Sequence, residues 1–310
     1  MRVLREELQL IPVEYPTTRL VGASPQARAD DLMAAFSDPQ IRAVLASIGG
    51  EDQITVLPYL DPAVLAANPK RFFGYSDNTN LLNYLWNLGI VSYHGGSTMV
   101  HLGRAEGPHP LSLASLRQAL FTSDTVELAP VATFSDESPD WADESLVEPR
   151  SVTLDDGWWW SVDERTVSGP TWGGNLEILH WNLAANRWIG PNDRYCGCIL
   201  TIETSEEMPP GTEVYRMLRN MGERGLLEQF PAIIVAKALA WHHGHRTTAP
   251  ERTQFRTDQR EAVLRAVARY NPGALVVIGP DFGHTDPQYV IPFGGPMTVD
   301  ATSRRITMTY

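Results

Sequence analysis

The chain alternates short apolar runs with segments whose apolar positions recur at helical spacing. Residues 1–10 read as the tail of a helix, and Leu10-Ile11-Pro12-Val13-Glu14 as a short strand cut by proline. Ser24-Pro25 offers an N-cap followed by proline at the first helical position, opening a helix to about Phe36. Ile41–Ile48 is an apolar run ending at Gly49-Gly50, a buried strand or a helix running into one. Asp61-Pro62 caps a short helix that stops before Asn68-Pro69, and Arg71–Tyr75 is a strand turning sharply at Ser76-Asp77. A helix follows from Asn78 to about Leu88, with Leu81, Leu82, Leu85 and Trp86 on its apolar face, then a strand at Ile90–Tyr93. Strand and helix in alternation with short connections predict a parallel α/β sheet.

The pattern changes near residue 105. Ser112–Phe121 reads as one helix, whereas Asp124–Val167 is polar, acidic and rich in tryptophan, an irregular linker with some short strands. From Gly169 on, strands at Cys196–Ile202, Ala232–Ala236, Ala274–Ile278 and Arg305–Met308 mix with helices at Gly211–Arg224 and Arg256–Tyr270. The expected organisation is an N-terminal α/β domain over 1–122, a linker over 123–168 and a C-terminal domain over 169–310.

Composition narrows the function classes. The chain has 310 residues, and 25 Lys+Arg against 37 Asp+Glu give a net charge of −12. Nine Trp, ten Tyr and nine Phe supply ample surface to bury, which excludes global disorder. The acidic balance and the lack of a basic run disfavour nucleic acid as a partner. The charged N-terminus lacks the apolar run of a signal peptide, and no uncharged stretch approaches the roughly 20 residues of a bilayer span. Cys196 and Cys198, two apart, bridge only with strain and read as buried or half-buried free thiols, pointing to a reducing cytoplasm.

The candidate chemistry begins at Gly74-Tyr75-Ser76-Asp77-Asn78. A serine at a tight strand-to-helix turn lifts its hydroxyl to the positive end of the following helix; the plainer reading is an N-cap, a role Asp77 could equally fill. Gly49-Gly50 ends the preceding strand, where a bare backbone N–H can approach a reacting carbonyl, or where glycine is only a turn. Of eight histidines, His284 stands directly after an apolar strand in Gly283-His284-Thr285, an exposed and oriented position for a base. His94 lies just past a strand end, in a structural or substrate-contacting place. His242-His243-Gly244-His245 suggests a metal, but neighbouring loop histidines diverge and no nearby acidic or cysteine cluster completes a site, so no metal and no cofactor is expected. Leu200–Glu203 delivers Glu203 at a strand end, where it could orient the base; Glu206 and Glu207 read as solvated.

Taken together these segments resemble the serine LD-carboxypeptidases (peptidase family S66), and within them the branch of the microcin C immunity proteins. The resemblance is carried by Gly49-Gly50, Asn68-Pro69-Lys70 leading into Gly74–Asp77, Gly89–Gly95, Gly173-Gly174-Asn175-Leu176, Ile202–Glu206, and Gly283–Thr285 before Ile291-Pro292-Phe293-Gly294. It implies Ser76 as nucleophile, His284 as base and Glu203 as its acid, with backbone N–H groups of Gly50 and Asp77 forming an oxyanion hole. It also implies a flavodoxin-like parallel sheet domain joined to a mainly β domain of swivelling or barrel type, in a homodimer. The implied substrate carries an amide next to a free carboxylate, in a muropeptide or an aminoacyl-nucleotide antibiotic. The tryptophan-rich linker and the Glu203-Thr204-Ser205-Glu206-Glu207 wording favour the immunity branch, in which Trp160 and Trp172 could stack on a nucleobase or, as buried tryptophans commonly do, pack in the core. Two departures stand out. The family opens with a Pro-Gly-Asp turn, a first strand and a long helix, so that first strand is expected to be missing here, and the histidine cluster lies where the family varies. A non-catalytic ligand-binding protein on the same fold is the alternative.

Overall fold

A computed structural model describes residues 1–104, 107–137, 151–242 and 244–310. Its smaller sheet runs Ala43–Leu45, Arg71–Gly74, Ser92–His94, Ile291–Phe293 in spatial order. The first three strands are parallel, as the strand–helix alternation predicts, and the fourth returns antiparallel with Ile291 opposite His94. The helix Pro25–Ser37 starts where Ser24-Pro25 places it, the Ser24 hydroxyl accepting from the Ala27 N–H. Thr79–Asn87 buries Leu81, Leu82 and Leu85 against the sheet. Leu10–Glu14 forms no strand: Pro12 interrupts the run, and Ile11 stays 92% exposed with nothing to pair against.

The larger sheet has the order Thr125–Leu128, Arg305–Thr309, Pro296–Asp300, Thr166–Asn175, Ile199–Glu203, Ala232–Val235, Leu275–Ile278, Trp159–Trp160. Four of its strands, from Thr166–Asn175 to Leu275–Ile278, are parallel, and the flanking pairs are antiparallel. The stretch read as a linker therefore supplies both edges of this sheet. The helices Leu176–Ala185, Gly211–Glu223 and Ala249–Tyr270 belong to this half, and Ala262, Val263, Ala266 and Val267 are buried in its core as their spacing predicts. The last helix starts seven residues earlier than Arg256, because Thr248 and Glu251 form a reciprocal capping box ahead of Pro250.

Two connections tie the sheets together. Ile291–Phe293 ends one sheet and Pro296–Asp300 enters the other across a two-glycine corner. At the second, Gly174 lies against the serine-bearing segment: a Cβ there would sit 2.6 Å from the Thr79 side chain. Thr79 Oγ1 instead accepts the Asn175 backbone N–H at 2.9 Å. Only glycine permits this approach, so the strand beside the one that ends in Glu203 is pinned to the start of the helix that follows Ser76. Among the described residues no helix is long and apolar enough to cross a membrane.

Candidate active site

The strand Arg71–Gly74 runs through Tyr75 into a single 3-10 turn, Ser76–Asn78, and then the helix. Ser76 has φ 61°, a left-handed conformation that costs a non-glycine residue about 1–2 kcal/mol. From Phe72 to Leu85 it is the one residue that is not buried. A strained serine exposed at a strand-to-helix turn is the geometry of a nucleophile elbow. Strain of this kind persists only where the surroundings enforce it, and two contacts do so. Gly49 abuts the turn so closely that a Cβ would lie 3.1 Å from Ser76 Cβ and 3.2 Å from its Oγ. Asp77, 2% exposed, accepts the backbone N–H groups of Asp52 (3.1 Å) and Gln53 (2.9 Å) on Oδ2, and the Asn80 amide (2.9 Å) on Oδ1. Burial pushes the Asp77 carboxyl above its usual range, against the opposing pull of the Gln53 N–H. Gly50 belongs to the loop that Asp77 holds beside the serine.

Glu203 ends its strand with 1% exposure. Its Oε2 lies 2.6 Å from Nδ1 of His284, bridging two strand ends that are adjacent but one in the sheet. The His284 loop is fixed from behind, where the buried Lys237 bonds Asp281 at 2.6 Å and Asp155 at 2.8 Å. Gln288 adds a bond to the Gly283 carbonyl at 2.7 Å. In front, the Tyr75 ring packs on the imidazole with centroids 4.8 Å apart, so the neighbour of Ser76 touches the His284 ring. His94, 2% exposed at the end of its strand, forms the floor with edge contacts to Tyr75 and Phe282, and burial lowers its pKa to about 4, keeping it neutral.

Two acidic residues around His284 escaped the reading of the sequence or were misplaced by it. Glu206, read as solvated, puts Oε2 3.0 Å from His284 Nε2, although its side chain is still 48% exposed. Burial alone would lower the His284 pKa, but Glu203 and then Glu206 outweigh it and push it up to about 10. The bond to His284 in turn draws Glu206 down to about 2. Glu177, 5% exposed, accepts both the backbone N–H (2.8 Å) and the hydroxyl (2.7 Å) of Ser205. Burial, reinforced by the Glu203 charge, raises it to about 7. Glu177 was not visible as a site residue because the Gly- and Pro-containing strand Thr166–Asn175 and the helix after it do not announce themselves in the hydrophobic pattern.

The tryptophans fall on the core side of the alternatives. Trp172 has 0% exposure and lies parallel to Phe230 at 5.6 Å, with Tyr195 at 4.5 Å, so no face is left for a nucleobase. Trp160, 8% exposed, pairs with Val277 at the sheet edge and is tilted against Trp158 with the Arg304 guanidinium beside its ring. Cys198 is buried as expected, but Cys196 is exposed because the strand begins only at Ile199. His242 and His245 pair through their backbones, and the Gly244 N–H donates to His242 Nδ1; His243 lies outside the described residues. Among the described residues no cluster of three potential metal ligands forms.

Fold and site together describe a two-sheet protein with an elbow serine after a strand of the smaller sheet and a carboxylate-bound histidine after a strand of the larger. The sequence profile described as the LD-carboxypeptidase N-terminal domain matches residues 1–95, and that of the LD-carboxypeptidase C-terminal domain matches 168–299. The chain belongs to the LD-carboxypeptidase family. Among its relatives is the Microcin C7 self-immunity protein MccF of Escherichia coli, 25% identical over 91% of this chain and 78% of that one. A probable murein peptide carboxypeptidase of Bacillus subtilis is 24% identical over 89% of this chain and 74% of its own. The MccF-like protein of Streptococcus pneumoniae, solved in complex with AMP, superposes with a TM-score of 0.86 at 26% identity, covering 99% of this chain and 91% of that one.

Proposed function

We propose that the protein is a serine amide hydrolase in which Ser76, His284 and Glu203 form the triad and the N–H groups of Gly50 and Asp77 bind the oxyanion. The observation that carries this reading is the 2.6 Å Glu203–His284 bond beneath a ring, Tyr75, whose neighbour is the strained Ser76. His284 Nε2 takes the Ser76 proton as Oγ attacks the scissile carbonyl; Glu203 holds the ring and balances its charge. The C–N bond then breaks, with the proton passing to the leaving nitrogen, and water cleaves the acyl ester through the same base. Donors aimed at the oxyanion contribute about 3–4 kcal/mol each in comparable sites.

The substrate we infer is an aminoacyl nucleotide. This follows the resemblance to a self-immunity protein and to a structure solved with AMP. Its nucleobase would have to be held by groups other than Trp172. A muropeptide is the second reading, favoured by the murein peptide carboxypeptidase among the relatives. The test is to offer the protein both an aminoacyl sulfamoyl adenosine and an LD-linked muropeptide. Cleavage of the first, lost by at least 10^3-fold or so in Ser76→Ala with folding unchanged, is the expected result. Full turnover in that variant would end the triad reading. Tight ligand binding by the wild type without turnover would favour a protein that binds but does no chemistry.

A further inference from the structure

The imidazole of His284 is held at both nitrogens by carboxylates three residues apart, one at a strand end and one in the turn after it, and the two differ in kind. Glu203 is 1% exposed and ends a strand paired on both sides. The turn after it is also fixed: Thr204 bonds Gln259 at 3.1 Å, and Ser205 bonds Glu177 at 2.7 and 2.8 Å. Glu206 is the first residue beyond these anchors, exposed to solvent on one side and bonded to Nε2 on the other. Nε2 is the atom that the proposed reaction needs for the serine proton, so the capped state is a resting state.

We propose that Glu206 is a gate on the base, opened when a positive group of the substrate draws its carboxylate away from Nε2. This rests on the triad reading above. An aminoacyl substrate carries its ammonium one carbon from the scissile carbonyl, so the cation arrives beside the base just where Glu206 stands. Transfer of the carboxylate to that ammonium does two things together. It uncovers Nε2, and it removes one of the two charges that hold the imidazole protonated, letting the proton leave to solvent. Among the described residues the other groups facing the ring do not offer this switch: Tyr75 packs on its face, His94 is buried and neutral, and Glu203 is locked on Nδ1. His242, whose charge also acts on Glu206, and Glu177, which acts on Glu203, modulate it from outside. Glu206 is thus a specificity-determining residue that admits substrates with a free amine.

The test compares alanyl sulfamoyl adenosine with its Nα-acetyl derivative, read as binding to the Ser76→Ala protein so that turnover is not required. The free amine should bind about tenfold tighter, the scale of one hydrogen bond to a charged group. Adding Glu206→Gln, an isosteric change at a half-exposed side chain, should bring the ratio to near one. In parallel, the His284 imidazole followed by NMR should titrate at lower pH in Glu206→Gln than in the wild type. An unchanged ratio, no preference in the Ser76→Ala protein, or binding of neither compound would overturn the gate, as would an unmoved titration. The triad reading fails separately, if Ser76→Ala hydrolyses substrate at the wild-type rate.

Discussion

The two halves of the site are built from different physics. The serine turn is held by shape and by hydrogen bonds: a left-handed backbone at Ser76, the bare Cα of Gly49 against it, and a buried Asp77 that accepts N–H groups of Asp52, Gln53 and Asn80. The His284 ring is held by charge: Glu203 and Glu206 on its two nitrogens, with Glu177 behind them. Shape fixes where a nucleophile stands at every pH. Charge fixes when a base is free to act, and so exposes that half to pH and to charged ligands. A hydrolase of this design keeps its aim constant and controls its readiness, and the two halves should answer to different perturbations.

The largest effect should come from the charged half. Glu203→Gln keeps the shape of the side chain but offers His284 the wrong partner, so kcat should fall about 10^3- to 10^4-fold, as expected for a base that loses its orienting carboxylate. A loss under tenfold would mean that Glu203 does not orient the catalytic ring. The next effect tests the shaped half. In Gly49→Ala the new methyl would press on Ser76 Cβ and Oγ at 3.1 and 3.2 Å. Displacing the nucleophile by a fraction of an ångström to an ångström should cost kcat/KM about 10^2-fold, with a pH profile of unchanged shape. A profile that moved with Gly49→Ala would break the division between the halves.

Much of this division was legible in the sequence where it depends on local rules. Ser24-Pro25, Asp61-Pro62 and the Leu81–Leu85 face declare their helices through capping and periodicity, and the apolar runs at residues 71–75, 232–236 and 274–278 declare strands. The serine turn could be proposed from its neighbours alone because an elbow is a local structure. The charged half could not, since Glu203 and His284 meet only across a sheet in which 81 residues of chain separate them. Their pairing entered through resemblance to a family rather than through spacing. Glu206 shows the limit most clearly: an exposed Glu after a strand reads as solvated on any local rule, and only the fold reveals which nitrogen it faces. Trp172 shows the converse. The resemblance left it either stacking on a nucleobase or packed in the core, and the Thr166–Asn175 strand enters the middle of the larger sheet and carries Trp172 inside.

The smallest effect is one of stability and separates the halves without any substrate. His284 has a folded-state pKa raised to about 10, so its pairing with Glu203 stabilises fully below the ordinary histidine value near 6.5 and fades as pH rises through about 10. Glu177 acts in the same direction over a lower window: its pKa is raised to about 7, so its contribution is lost as pH rises from the ordinary carboxyl range through about 7. Removing the Glu203 charge weakens both dependences, leaving the burial of Glu177 and the Glu206 partner of His284. Wild type should therefore exceed Glu203→Gln by about 2 kcal/mol at pH 6, and the gap should narrow steadily toward pH 10 in urea melts. The gap between wild type and Gly49→Ala, which is steric, should stay level over the same range. Parallel curves for Glu203→Gln, or a pH-dependent gap for Gly49→Ala, would show that charge and shape are not divided between the two halves in this way.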